Sequence, residues 1–184
     1  MNVTLERINI ISGKRGVGKS IFCLDLVRKL ECKNISVSGI ISPGKFLGKK
    51  KIGILAKNIS NGITTKFADY LPGWDHEKPQ REWKINEDAI HWGNSILENI
   101  ESCEVLIIDE LGFLEFEKNM GWIKAFQVLE KDIYKIAFII VRPELVESAM
   151  DLWTECKIIE FAPNDDRKAI LKSVIDQVVT IIDK

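Results

Sequence analysis

Gly13-Lys14-Arg15-Gly16-Val17-Gly18-Lys19-Ser20 completes the spacing G-x-x-x-x-G-K-[ST]. Gly13, Gly16 and Gly18 permit the backbone conformations and close approach by which successive amides converge on phosphate oxygens. Lys19 supplies a cation for the β- and γ-phosphates, and the Ser20 hydroxyl has the length to ligate a magnesium ion bridging them. Residues 13–20, with Ile21 behind them, are therefore the expected lining of a nucleotide's phosphate chain. A second chemical stretch follows later, where Val105, Leu106, Ile107 and Ile108 run into Asp109 and Glu110. Asp109 is expected beside the Ser20-bound magnesium, holding it through water, and Glu110 is placed to polarise an attacking water near the γ-phosphate.

Those groups need elements that bring them together. Ile8, Asn9, Ile10 and Ile11 read as a strand, and Ile21, Phe22, Leu24, Leu26, Val27 and Leu30 fall mainly on one helical face. The order strand, glycine loop, helix puts the positive end of a helix dipole at the phosphates. Strands are expected at 35–41, 51–58 and 63–70, with a break at Ser42, Pro43 and Gly44 and a hairpin turn at Asn61-Gly62. Residues 71–83, with Trp74, His76 and Pro79, read as a loop of unassigned role. Asn86 is expected to cap a helix carrying Ala89, Ile90, Ile96, Leu97 and Ile100. The apolar run 105–108 suits a strand buried on both faces of a parallel sheet. A helix at 119–131, a strand at 136–141, a helix after Pro143, a strand at 157–161 and a last helix complete the alternation, which predicts a doubly wound α/β fold. In such a sheet the carboxyl ends of the strands face the ligand, which carries Asp109 toward Ser20. Asn164 is expected either to cap the last helix or to line a base pocket.

At 184 residues, 46% hydrophobic and 29% charged, the chain suits a single domain over 1–184 with a sizeable core. A net charge of -1 offers no general attraction to nucleic acid, and the cluster 49–51 is too short to argue for that partner. No stretch of about 18 uninterrupted apolar residues marks a membrane span, and no leader pattern opens the chain. Cys23, Cys32, Cys103 and Cys156 lack zinc-ligand spacing and fit reduced structural thiols, so the expectation is a soluble, cytoplasmic protein.

Four blocks resemble a nucleoside-triphosphatase family of small archaeal, bacterial and eukaryotic P-loop proteins, the group that includes the cancer-related nucleoside-triphosphatase. They are the loop at 13–20; Ser38-Gly39-Ile40-Ile41-Ser42 with the lysine-rich turn and Ile52-Gly53-Ile54; Ile107-Ile108-Asp109-Glu110-Leu111-Gly112-Phe113-Leu114-Glu115; and Phe161-Ala162-Pro163-Asn164-Asp165-Asp166-Arg167. The resemblance implies a three-layer P-loop fold with a RecA-like, mostly parallel sheet, helices on both faces and an inserted β-hairpin. It also implies slow, magnesium-dependent hydrolysis of several nucleoside triphosphates, ATP and GTP among them. The second block departs from the family, which carries threonine or glutamate and an arginine where this chain has Ser42, Pro43 and lysines.

Phosphoryl transfer also calls for a cation at the transition state, worth about 10³ to 10⁵ in rate. Arg142, just past a buried strand, is the first candidate, and Arg15 in the loop is the second. Lys14 and Arg15 leave open a relation to ParA- and MinD-type dimerising ATPases, although Arg15 breaks their loop pattern. A nucleoside or nucleotide kinase shares the loop, but residues 111–118 are short and acidic and show no arginine-rich lid. A nucleotide-binding regulatory module would instead present Trp122 or Trp153 on its surface; both read more simply as core residues. The oligomeric state stays open, with a monomer among the arrangements.

Overall fold

The first strand, β1 (Ile8–Gly13), is buried at every position and feeds directly into the glycine loop and helix α1 (Lys19–Glu31). In the computed structural model residues 4–70 and 83–184 are described, and the 71–82 part of the unassigned loop lies outside them. Four further strands run parallel to β1 or to its neighbours: β2 (Val37–Ile41), β7 (Val105–Leu111), β8 (Ile136–Val141) and β9 (Cys156–Phe161). Their spatial order is β2-β7-β8-β1-β9, so β8 separates the loop-bearing strand from the strand that carries Asp109. An antiparallel wing extends the sheet beyond β2: β3 (Gly44–Leu47), β4 (Lys50–Asn58), β5 (Thr64–Tyr70) and β6 (Trp83–Ile85). The expected hairpin is thus part of a four-strand wing, its β4–β5 connection turning at Gly62 with φ 73°.

Strand parity sorts the apolar residues into two cores. Ile11, Val105, Ile107, Phe138 and Phe161 face α1 and α6 (Arg167–Ile182), meeting Phe22, Leu26, Val174 and Val178. Ile10, Leu106, Ile108 and Ile139 face the other side, where α2 (Glu87–Glu98), α4 (Lys124–Glu130) and α5 (Val146–Leu152) supply Leu97, Val128, Leu129 and Ala149. The layers are those of a doubly wound α/β protein. Trp122 belongs to this second core at 1% exposure, and Trp153 is half-buried and stacked on Phe126 at 6.0 Å. Among the described residues no helix is long and apolar enough to cross a membrane, and all four cysteines are free thiols.

Several boundaries differ from the sequence reading. The helix expected over 119–131 is confined to α4, because Asn119 and Gly121 take positive φ and the Trp122 amide is bound by Glu115. The break at 42–44 is shorter, since Gly44 already belongs to β3. β2 begins at Val37 because the Ile35 amide still closes α1 on Leu30. Asn164 does not cap the last helix. Asp166 does so, its carboxylate accepting from the amides of Lys168 and Ala169, while Asn164 lies exposed on the preceding turn.

Candidate active site

At the carboxyl edge of β1 the chain enters the loop through Gly13, where only glycine fits. Its φ is 142°, and a Cβ there would stand 2.4 Å from the Phe161 carbonyl oxygen of neighbouring β9. Lys14, Arg15 and Gly16 are exposed, and Val17 and Gly18 are half-buried. Lys19 is buried, its Nζ donating to the Gly13 carbonyl at 2.6 Å and to the Lys14 carbonyl at 3.4 Å. Burial lowers its pKa, opposed by the nearby Glu110 and Asp109 carboxylates. Ile21, one residue past Ser20, is 66% exposed on the first turn of α1.

β7 brings the acids. Continuing the parity of Val105 and Ile107 puts Asp109 on the α1 side, where the nearby Ser20 hydroxyl favours its ionised carboxylate. The Ser42 amide donates to Asp109 Oδ2 at 3.2 Å, and the Ser42 hydroxyl donates to the Asp109 carbonyl. Asp109 is 2% exposed, and burial, aided by the Glu110 charge, pushes its pKa up to about 6 against these hydrogen bonds and Lys19. The β7–β8 register shifts between Ile108 and Leu111, and the peptide joining Asp109 to Glu110 is cis. Glu110 is half-buried and meets Arg142, whose Nε donates to Glu110 Oε1 at 2.6 Å. The two candidate catalytic groups, from the ends of adjacent strands, are therefore an ion pair. Asp109, Glu110, Lys19, Ser20 and Arg142 gather at one edge, whereas Asn164 sits on the turn after β9.

Three contributors escaped the sequence reading. Ser42 ties the end of β2 to Asp109, and its signal was the departure from the family at that position. Glu115, 6% exposed in the short helix α3 (Phe113–Phe116), accepts from the amides of Gly112 at 2.7 Å and Trp122 at 2.8 Å, and so shapes the turn that follows Glu110. A Cβ on Gly121, which has φ 72°, would lie 1.9 Å from Glu115 Oε1. Arg167 donates to the Val17 carbonyl from the start of the last helix. It was visible only as the end of the fourth family block.

A parallel sheet with a glycine loop and lysine at the end of one strand, and a buried aspartate at the end of the next strand but one, defines a P-loop protein. The chain matches the model of the NTPase family over residues 8–175. It belongs to that family. It is 31% identical over 105 residues to the nucleoside-triphosphatase THEP1 of Sulfurisphaera tokodaii, covering 57% of this chain and 60% of that one. It is 32% identical over 112 residues to the THEP1 of Saccharolobus solfataricus, covering 58% and 61%. The chain thus spans about three fifths of the length of the curated relatives it matches. In fold it resembles a human cancer-related nucleoside triphosphatase, with TM-score 0.70 and 17% identity over 95% of this chain and 98% of that one. THEP1 from Aquifex aeolicus gives TM-score 0.65 and 20% identity over 93% and 98%.

Proposed function

We infer that this chain hydrolyses nucleoside 5′-triphosphates to diphosphate and phosphate, slowly and with little preference among bases, ATP and GTP included. The observation that carries the reading is the gathering of Lys19, the buried Asp109 carboxylate and the Glu110–Arg142 pair at one edge of the sheet, with Ser20 at the start of α1 close enough to lower the Asp109 pKa. The names of the THEP1 relatives support the same activity. Residues 13–20 would receive the triphosphate on loop amides and on the positive end of α1. Lys19 would exchange the Gly13 carbonyl for a β- or γ-phosphate oxygen, at little cost because its ammonium is already desolvated.

Magnesium fits the donors present: a hydroxyl and a buried carboxylate are hard oxygen ligands, and the raised pKa of Asp109 marks a site where a further cation would stabilise the anion. Ser20 and Asp109 would hold the ion, which supplies charge neutralisation across the β- and γ-phosphates. Glu110 would accept a proton from the water attacking the γ-phosphorus, while the bond from that phosphorus to the β–γ bridging oxygen breaks. Arg142 would fix Glu110 and bring a cation to the transferring group.

The test is phosphate release from ATP, GTP, CTP and UTP with magnesium, with Lys19→Ala as the blank. Release from several nucleotides, lost in the variant, is expected. Tight binding without release would replace hydrolysis by transfer to an acceptor or by sensing.

A further inference from the structure

β9 pairs with β1 as far as Gly13↔Phe161, so the turn after Phe161 flanks the phosphate loop on the side away from Asp109 and Glu110. Arg167 reaches back across that turn. Its Nη2 donates to the carbonyls of Ala162 at 2.7 Å and Val17 at 3.3 Å, and its Nη1 to Asp165 Oδ2 at 3.0 Å. The guanidinium also lies 4.0 Å from the centre of the Phe161 ring. Asp165 is held in turn, its Oδ2 accepting from the Ala162 amide at 2.7 Å. An arginine that merely began a helix would need none of these contacts, and the capping role belongs to Asp166.

The bond to Val17 has a chemical consequence. The Val17–Gly18 peptide is trans, so its C=O and N–H point in opposite directions. A guanidinium that holds the Val17 carbonyl therefore fixes the Gly18 N–H in the opposite direction, away from Arg167. Resting on the triphosphatase reading above, we propose that Arg167 is a positioning residue for the phosphate chain, latching the Val17 peptide so that the Gly18 amide is aimed before substrate arrives. It acts through the loop and does not touch the substrate. Setting the amide in advance removes an ordering cost from binding. The latch is indifferent to the base, so it serves a nucleoside triphosphate and inorganic tripolyphosphate alike.

Arg167→Ala and Arg167→Lys separate this role from a merely structural one. The measurements are KM and kcat for magnesium ATP, the dissociation constants of ATP and inorganic tripolyphosphate, and the melting of the unliganded protein. Losing one charge-assisted bond should weaken both ligands by the same factor, about tenfold. KM should rise by that factor and kcat change less than about threefold, because the amide meets the phosphates in ground and transition states alike. Lysine keeps the charge and the stem over Phe161 but lacks the fork that holds Ala162, Asp165 and Val17 together, so it should show the same defect and keeps the test open should alanine not fold. Unchanged affinity in both variants, full rescue by lysine, or a loss confined to ATP would overturn the latch. Failure of the wild-type protein to bind either ligand would instead remove the triphosphatase reading itself.

Discussion

The parallel half of the sheet and its antiparallel wing solve the problem of burial differently. Every residue of β1 and β8 is buried, with helices on both faces, and each central strand is paired on both sides. In β4 only Gly53 and Ala56 are buried, and in β3 Lys45, Phe46 and Leu47 are exposed. The first arrangement holds backbone so firmly that loops at its edge inherit fixed positions, which suits the glycine loop and the carboxylates gathered there. The wing, covered mainly by α2 and the Phe67–Trp122 contact at 4.8 Å, has room to yield. The contrast teaches that the chemistry sits where the backbone cannot move.

The sharpest test of that contrast is chemical. Glu110→Gln, at the edge of the parallel half, should keep magnesium nucleotide bound and slow hydrolysis by at least about 10²-fold, the scale of a lost general base. Phe46→Ser, at the tip of the wing, should change turnover by less than about twofold. Single-turnover rates for both would tell, and equal losses would abolish the division.

Stability supplies the next test. Gly39 in β2 has φ 125°, and a Cβ there would stand 1.9 Å from the Ile107 carbonyl oxygen. Gly53 in β4 has an ordinary backbone, and its Cβ would stand 3.0 Å from the Ala68 carbonyl oxygen. Gly39→Ala should therefore cost about 3 kcal/mol or more and Gly53→Ala about 1 kcal/mol or less, read from urea unfolding. Similar costs would mean that the wing is as rigid as the core.

Glu115 gives a smaller effect than Gly39 and the most graded one. Its two oxygens accept two backbone amides, so Glu115→Gln sets a donor against a donor and should cost about 1 to 3 kcal/mol at neutral pH. Burial raises its pKa above the ordinary 4.5, so the folded chain keeps this proton to higher pH than the unfolded chain. Its contribution to stability therefore falls as pH rises from 4.5 through the raised value, then levels off. Unfolding midpoints across that range should lose this slope in Glu115→Gln, and an unaltered slope would assign the titration elsewhere.

The phosphate loop, its strand and helix, and the apolar run ending in Asp109 and Glu110 were readable because each is local: glycine spacing, one apolar face and a continuous apolar stretch carry their own signal. The Asn61-Gly62 turn and the Asn86 cap were legible for the same reason, and Asn86 does accept from the Asp88 amide. The cap of the last helix was misread by two residues because Asn164, Asp165 and Asp166 are all competent caps. Asp165 is instead occupied by Ala162 and Arg167, a choice made by contacts outside the segment.

Local chemistry was enough to tell that a glycine loop joins the first strand to the first helix and that two adjacent carboxylates stand at the end of a buried strand. Pairing Arg142 with Glu110, drawing Ser42 onto Asp109 and bringing Arg167 back to Val17 required the folded chain. Those partners are far apart in sequence, and no periodicity or spacing encodes which strand ends become neighbours. The order β2-β7-β8-β1-β9 makes them so.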